Sequence, residues 1–413
     1  MTPIAAKEQA GADSGKRHAG SLLFLDGLRG LAALYVVAGH ARWLLWEGYS
    51  EGFLAHPGQY TGLGKLLVYA SALLRYGHEA VLFFFVLSGF VIHLRYSRQL
   101  RAGNGESRFD WRSYVWRRAK RLYPPLLFAL ILTAVFDLLG RHLGYPIYFQ
   151  GTPYALINQN VIADHGWLTG LGNLAFLMTS YVPVWGTNGP LWSLKFEWWF
   201  YMIYPAFWWA SKKSIPAATA AMAALWAASF YPPVWGVALL REVFSMMLAW
   251  WFGVLLADVY SGRLRCSFVA LSFLSLLLLA LPFAAFHPVV KDILWGIGFS
   301  GVIALCFVMR GAGWRVVNFL ERLKPLGDMS YTLYVIHFPL LVFMSGYVST
   351  LSQGGRLPAH FGWALLGACL CVLFAYAAHW LVEVPFVRRG KAGRVTPRHA
   401  PIERRPVVSS QGL

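Results

Sequence analysis

Long apolar stretches alternate with short polar segments along almost the whole chain. A stretch of about 20 apolar residues predicts a membrane-spanning helix, because a helix of that length crosses the ~30 Å hydrocarbon core of a bilayer. The pattern predicts ten such helices, over residues 22–45, 78–96, 122–143, 188–210, 214–234, 238–260, 266–286, 292–310, 329–350 and 361–387. The predicted fold class is therefore an all-α, polytopic membrane helix bundle, with one membrane domain over residues 22–387.

The composition agrees with this prediction, since the chain is 57% hydrophobic and only 13% charged. The net charge of +18 does not indicate nucleic acid, because the basic residues fall in short clusters between the apolar stretches. With a cytoplasmic N-terminus, 27 of the 36 Lys and Arg residues lie in inside segments and seven lie outside. Positive charge is enriched on the cytoplasmic side of membrane proteins, so we predict that both termini lie inside.

The two ends of the chain are polar and basic. Residues 1–21 show no separate signal peptide and no cleavage site, so the first apolar stretch is predicted to remain as a membrane anchor. Residues 388–413 are predicted to be a disordered cytoplasmic tail that binds the anionic leaflet. No metal site is predicted, because the four cysteines lack zinc-finger or redox spacing and are interpreted as small core residues: Cys266, Cys306, Cys369 and Cys371.

Arg29 and His40 lie eleven residues apart in the first predicted helix. Eleven steps of about 100° come to roughly three turns, so the two side chains share one face, about 16 Å apart along the axis. Ionisable residues inside a membrane are costly and usually face a bundle interior or a wet cavity, which favours a functional role. The alternative is that Arg29 only marks the cytoplasmic end of the helix and His40 only hydrogen-bonds a neighbouring helix.

A basic cluster precedes the third predicted helix and contains Arg117, Arg118, Lys120 and Arg121. Arg118 and Arg121 face the same way if this stretch is helical. Cations at a helix start conflict with the helix dipole, and a bound polyanion such as a phosphate would remove that conflict. The alternative is a topology signal that contacts anionic lipid head groups.

Two further helices carry polar faces. In the fourth, Ser193 and Glu197 are four residues apart, and a depth estimate places Glu197 near His40, where a carboxylate could orient an imidazole that acts as a general base. Lys195 lies on another face, so no pair with Glu197 is implied. In the ninth, Asp328 suits an N-cap, and three residues fall on one stripe: Ser330, Tyr334 and His337. Simple helix-packing hydrogen bonds remain the alternative.

Two long segments are predicted outside the membrane, over residues 46–77 and 144–187. Long loops often form lids or binding surfaces. The second contains aromatic residues together with polar ones that suit sugar hydroxyls: Asn158, Asn160, Asp164, His165, Asn173 and, just after it, Asn188. An interfacial loop with Trp and Tyr at the lipid head groups is the alternative.

Six motifs in order resemble those of the acyltransferase-3 family, integral membrane O-acyltransferases found mainly in bacteria that act on polysaccharides, lipopolysaccharide and peptidoglycan. The motifs are Arg-x10-His at 29–40, Phe-Phe-Val-Leu-Ser-Gly-Phe at 84–90, Arg-x-x-Arg at 118–121, Trp-Ser-Leu-x-x-Glu at 192–197, Ser-Tyr-x-x-Tyr-x-x-His at 330–337 and Glu-x-Pro at 383–385. The family often has a second acidic residue after the helix-four Glu, where this chain has Trp198.

The resemblance implies a transferase of the EC 2.3.1 type in a bacterial inner membrane. No permanently bound cofactor is expected; acyl-CoA, with acetyl-CoA favoured, is the implied donor, and a carbohydrate or lipid-linked glycan is the implied acceptor. The implied catalytic residues are His40, Arg29 and Glu197, the donor-binding residues are Arg118, Arg121 and Arg117, and the supporting residues are Ser193, Ser330, Tyr331, Tyr334 and His337.

Two other classes of protein fit the same polar positions. Polar residues at mid-depth on several helices are also typical of the permeation path of a transporter. Many transporters contain an inverted repeat, and none is visible in this sequence. A non-catalytic module that binds a lipid is the second alternative. The sequence does not determine the identity of the acyl group, the acceptor or the hydroxyl that is modified. It also does not determine whether the transfer is covalent or direct, or what the oligomeric state is.

Overall fold

The computed structural model describes residues 22–103, 109–231, 237–283 and 286–386. Both predicted tails, residues 1–21 and 388–413, therefore lie outside the described residues. The described part of the chain is mostly helical and contains no strand beyond an isolated bridge. Its ten main helices are α1 (Leu23–Leu45), α2 (Gly77–Arg101), α3 (Trp111–His142), α4 (Trp192–Lys213), α5 (Ile215–Ala228), α6 (Ala238–Ser261), α7 (Phe268–Leu278), α8 (Pro288–Gly311), α9 (Ser330–Thr350) and α10 (Gly362–Val382).

A polytopic helical membrane bundle is thereby confirmed. Seven of the described helices are long and apolar enough to cross a membrane, namely α1, α2, α3, α6, α8, α9 and α10. The helices α5 and α7 have 14 and 11 residues, so they are shorter than the predicted spans 214–234 and 266–286. At ~1.5 Å per residue, each falls short of the ~30 Å hydrocarbon core.

The start of α3 differs most from its prediction. The helix begins at Trp111, capped by the side chain of Asp110, and continues through Pro124 and Pro125. Membrane helices tolerate proline because neighbouring groups satisfy the freed carbonyls. The basic cluster therefore lies in the second and third turns rather than at the helix start, beyond the first turn where the helix dipole acts. A conflict with the dipole does not explain these arginines.

Contacts between helices fix their relative directions. Arg29 near the start of α1 contacts Ser330 at the start of α9, and His40 farther along α1 contacts His337 farther along α9, so these two helices run parallel. Thr332 near the start of α9 contacts Glu383 just after the end of α10, so α10 runs antiparallel to α9. In a chain that crosses the membrane ten times in alternating directions, the first and ninth helices are parallel and the tenth is antiparallel to them, as observed here.

The helices α2 and α6 make the closest packed pair of the bundle. A Cβ placed on Gly89 would collide with the backbone carbonyl of Trp250, and one placed on Gly253 would collide with that of Val86. Small residues allow membrane helices to approach until their backbones touch. Gly89 of the motif at 84–90 is therefore a packing residue that holds α2 in place beside the cavities described below.

The segment 144–187 folds against the bundle and contains the short helices Ala155–Asn160 and Trp167–Leu174. Most of its amide side chains bond within the protein. Asn173 donates to the carbonyls of Thr169 and Pro183 at 2.8 and 2.9 Å, and Asn188 donates to the carbonyl of Val335 at 2.9 Å. Side chains predicted to bind sugars are therefore largely used to fold this segment and anchor it to α9.

Both termini are expected in the cytoplasm, which a pair of reporter fusions can test. A reporter fused after Leu413 should be active only as a cytoplasmic reporter, and one inserted between residues 150 and 170 should be active only outside. The reason is the enrichment of Lys and Arg in the inside segments. An external C-terminus would contradict the predicted orientation and the even number of crossings.

Candidate functional site

A cavity of ≈ 90 Å³ lies between the first halves of α1 and α9 and is called here the arginine pocket. Residues from α2, α3 and α4 complete its wall, and phenylalanines such as Phe84 and Phe85 supply an apolar part. Its polar lining consists of Asp26, Arg29, Ser88, Arg118, Arg121, Ser193, Glu197, Tyr201, Ser330, Tyr331 and Tyr334. The cavity thus gathers most residues predicted to be functional, from five different helices.

Arg29 connects α1 to the start of α9. Its Nε donates to Ser330 Oγ at 3.1 Å and to the carbonyl of Gly327 at 3.3 Å, while Nη2 forms an ion pair with Asp26 at 2.8 Å. These contacts offset the free-energy cost of burying the charged guanidinium inside the bundle. Arg29 therefore holds the wall of the arginine pocket, while His40 lies three helical turns away.

Arg118 and Arg121 both face the arginine pocket, as their spacing predicted. The guanidinium of Arg118 lies over the rings of Tyr114 and Tyr201, 5.3 Å from each centroid, which positions it by cation–π attraction. Arg117 is exposed, bonds to the hydroxyl of Ser113 and is not among the residues that line the pocket. The prediction that Arg117 belongs to the same binding group is not supported by its position, one turn before Arg121 on the outside of the bundle.

Glu197 also lines the arginine pocket, where it accepts a hydrogen bond from Tyr201. Lys195 turns to another face of α4, as expected, and the structure shows its partner: it is fully buried and forms an ion pair with Glu242 of α6. The predicted meeting of Glu197 with His40 is not found, since His40 has a different hydrogen-bond partner and lines a different cavity.

The cavity that contains His40 has a volume of ≈ 570 Å³ and is called here the histidine pocket. It lies along the second half of α1, between that helix, the start of α2 and the segment before α4. Its polar and aromatic lining includes His40, Arg42, Trp43, Arg75, His78, Asn160, Thr179, Trp192 and Tyr334. The described pockets thus separate the two motif residues of α1, with Arg29 in one and His40 in the other.

His40 is held by His337 of α9. The distance between His40 Nδ1 and His337 Nε2 is 2.8 Å, and the ring planes differ by only 18° with centroids 5.1 Å apart. The rings therefore meet edge to edge rather than face to face. Phe338 packs edge-on against His40 with a centroid distance of 5.1 Å, which fixes the orientation of the imidazole further.

The partners of the two rings define where the protons lie when both rings are neutral. His337 Nδ1 is 2.6 Å from the carbonyl of Tyr334, and a carbonyl only accepts, so this nitrogen carries the proton. His337 Nε2 must then accept from His40 Nδ1. His40 Nε2 is left with its lone pair, so the half-buried ring that lines the histidine pocket is in the tautomer of a base.

Tyr334 lies where the two pockets meet, and it lines both of them together with Val81. The Tyr334 hydroxyl is 2.8 Å from Ser193 Oγ and 3.2 Å from the carbonyl of Pro190. Its ring contacts Phe84 of α2. The two cavities therefore adjoin through a wall of side chains from α2, α4 and α9.

The polar stripe of α9 is confirmed as a stripe that faces the site. Ser330 contacts Arg29, Tyr334 contacts Ser193 and His337 contacts His40. Tyr331 lines the arginine pocket and donates to the carbonyl of Leu122 at 3.2 Å.

Two details near the ends of α9 and α10 differ from their predictions. Asp328 does not cap α9, because it ends a separate short helix, Lys324–Asp328, and pairs with Lys324. The position of Glu383 near the predicted inner surface favours a pair with nearby arginines, but Glu383 bonds to Thr332 and His379 instead.

The family model described as an acyltransferase domain, that of the acyltransferase-3 family, matches residues 22–380. This covers nearly the whole chain and every helix that contributes to the two pockets. The chain belongs to the acyltransferase-3 family. It is thus a membrane protein of an acyltransferase class. Searches of curated proteins and of solved structures returned no significant match.

Proposed function

We propose that this protein transfers an acyl group from acyl-CoA to a hydroxyl group of an envelope carbohydrate, with His40 as the general base. The observation that carries this proposal is the pair His40–His337. It leaves a basic nitrogen of His40 in a cavity large enough for a sugar, and it fixes the orientation of the imidazole through a neighbouring helix. General bases are typically held by a second group in this way.

The arginine pocket is proposed to bind the donor. Arg118 and Arg121 present guanidinium groups, which pair with phosphate oxygens through two parallel hydrogen bonds. The apolar wall of the arginine pocket suits the pantetheine arm of CoA. Because the basic segments are predicted inside, this pocket would face the cytoplasm, where acyl-CoA is present. The acyl thioester would reach His40 past Tyr334, at the junction of the two pockets.

The proposed reaction is a direct transfer. His40 Nε2 takes the proton of the acceptor hydroxyl as its oxygen attacks the thioester carbonyl; the new C–O bond forms, the C–S bond breaks, and CoA leaves as a thiolate. The proton on His40 then passes to that thiolate. His337 accepts from His40 Nδ1 throughout and so stabilises the imidazolium that forms.

The acyl group is proposed to be acetyl, and the location to be a bacterial inner membrane. The acceptor enters from the outside through the histidine pocket, whose walls carry Trp43, Trp192 and Asn160. Aromatic rings and amides suit the faces and hydroxyls of sugars. We expect mass spectrometry of envelope glycans to show an added acyl mass only in cells that contain the protein. Purified protein should also move label from acyl-CoA to the same glycan; failure of both tests would contradict the proposal.

Replacement of Arg118 and Arg121 together by alanine should lower the affinity for CoA more than tenfold, measured by titration of purified protein in nanodiscs. Each lost charged hydrogen bond is worth roughly 1.5–3 kcal/mol, and about 1.4 kcal/mol corresponds to a factor of ten. Arg117→Ala is the matched control, because Arg117 belongs to the same cluster but lies outside the pocket. Unchanged CoA affinity at normal protein levels would mean that the two arginines act only as a topology signal.

A further inference from the structure

Arg42 lies two residues after His40 on α1 and lines the same histidine pocket. It also lines a neighbouring cavity of ≈ 290 Å³, called here the Glu47 pocket. Trp43 borders both cavities as well. A bound molecule whose hydroxyl lies at His40 can therefore extend past Arg42 toward the Glu47 pocket, so that the guanidinium is beside the acceptor and not beside the donor.

The histidine pocket has a positive character. Its lining includes Arg42, Arg75 and His78 beside the neutral His40, and it includes no aspartate or glutamate. His78 pairs with Asp292 at 3.0 Å, and Arg75 is exposed and bonds to the Tyr76 hydroxyl. The strongest fixed charge beside His40 is therefore the half-buried guanidinium of Arg42.

Arg42, like Arg118 of the arginine pocket, lacks the compensation that Arg29 and Arg263 have. Its Nε is buried and has no hydrogen-bond partner, and no carboxylate of the described residues lies within ion-pair distance of its guanidinium. By contrast, Arg29 pairs with Asp26, and Arg263 pairs with Asp258 at 2.8 Å. A buried donor without a partner is costly, and an anionic ligand bound beside Arg42 would supply that partner.

The buried carboxylate of the Glu47 pocket already has partners within the protein. Glu47 binds Arg356 through both of its oxygens, at 2.7 and 2.9 Å, and accepts from the Tyr154 hydroxyl at 2.8 Å. This ion pair connects the end of α1 to the segment before α10. Glu47 therefore does not neutralise Arg42. The rest of that pocket includes the aromatic rings of Trp46 and Tyr154 and the exposed carboxylate of Glu51, which forms no ion pair with Arg42.

From this arrangement we propose that the acceptor is an anionic carbohydrate, whose carboxylate or phosphate group binds Arg42 while its hydroxyl lies at His40. The inference rests on the proposed function and adds the chemical class of the acceptor. Both anions offer oxygens in the geometry that a guanidinium fork binds. Arg42 thereby selects charged acceptors over neutral ones and places the hydroxyl a fixed distance away.

The test uses purified protein in nanodiscs, labelled acetyl-CoA, and the glycan pool extracted from the envelope of cells that lack the protein. One part of the pool is treated with aqueous hydrofluoric acid, which cleaves phosphodiesters, and another with carbodiimide and borohydride, which reduces carboxylates to alcohols. One of the two treatments should lower acyl transfer at least tenfold. The treatment that does so identifies the anion as phosphate or carboxylate.

The same assay is then run on variants. Arg42→Gln should raise the KM for the untreated glycan about tenfold or more, as expected for one lost charged hydrogen bond, with the KM for acetyl-CoA unchanged. Arg42→Lys should recover part of the loss. Arg141→Gln, at an exposed arginine near the end of α3, is the matched control.

The outcomes separate the two proposals. Transfer that survives both treatments, together with an unchanged glycan KM in Arg42→Gln, would overturn the anionic acceptor and leave the acyltransferase function standing. Such a result would make Arg42 a structural or lipid-contacting residue. A complete absence of transfer from acetyl-CoA to any glycan fraction, together with no added acyl mass on the glycans of cells that contain the protein, would overturn the proposed function and this inference with it.

Discussion

His40→Ala is expected to lower the rate of acyl transfer by about 10²–10⁴-fold, the usual contribution of a general base, while CoA binding stays nearly intact. The structure gives the reason for both parts. His40 lines the histidine pocket, whereas the arginines proposed to bind the donor line the arginine pocket. The measurement is an acyl-transfer assay on the purified variant in nanodiscs, with a CoA titration on the same sample.

The control for His40→Ala is His142→Ala, which removes an exposed histidine at the end of α3. It should leave both measurements unchanged. If His40→Ala keeps more than a tenth of the wild-type activity, His40 is a packing residue. Rapid quench with labelled acyl-CoA and no acceptor adds a mechanistic readout. Stable label on the wild type but not on His40→Ala would favour a covalent acyl-histidine over direct transfer.

His337→Phe is expected to lower transfer about 10²-fold, near the lower limit for a general base, because His40 stays in place but loses the partner of its Nδ1 proton. His337→Gln should restore a large part of the rate, since its side-chain oxygen can accept from His40 Nδ1. CoA affinity should not change in either variant. The measurement is kcat and KM for both substrates.

This pair of variants distinguishes positioning from mere packing. Phenylalanine fills the space of the imidazole but cannot accept a hydrogen bond, whereas glutamine accepts but fills it less well. Equal losses in the two variants, with lowered thermal stability, would mean that His337 only packs α9 against α1. Full activity in His337→Phe would mean that the tautomer of His40 is set by another group.

The apolar pattern alone predicted the helical membrane bundle, because the length and hydropathy of a helix that crosses a bilayer are properties of local sequence. It also predicted which residues share a face. Arg118 and Arg121 line one pocket, and Ser330, Tyr334 and His337 face the site along one stripe of α9. These predictions succeed because the rotation per residue in a helix is fixed.

Local sequence was less reliable at helix ends. The apolar pattern predicted that α3 begins at residue 122. In the structure Asp110 caps the helix, and the chain stays helical through two prolines. The same pattern extended α5 and α7 beyond their observed ends. Apolar content does not distinguish a helical turn from an extended apolar segment, and helix ends depend on capping groups and on neighbouring helices.

Only the tertiary structure decided which polar groups meet. The periodicity of α1 gives the face on which His40 lies, but not the helix that packs against that face or the depth at which it does so. His337 therefore replaced Glu197 as the partner of His40, and Glu197 lies in the arginine pocket. Whether Arg42 finds a carboxylate is likewise set by the packing of α1 against segments more than a hundred residues away, which no local pattern encodes.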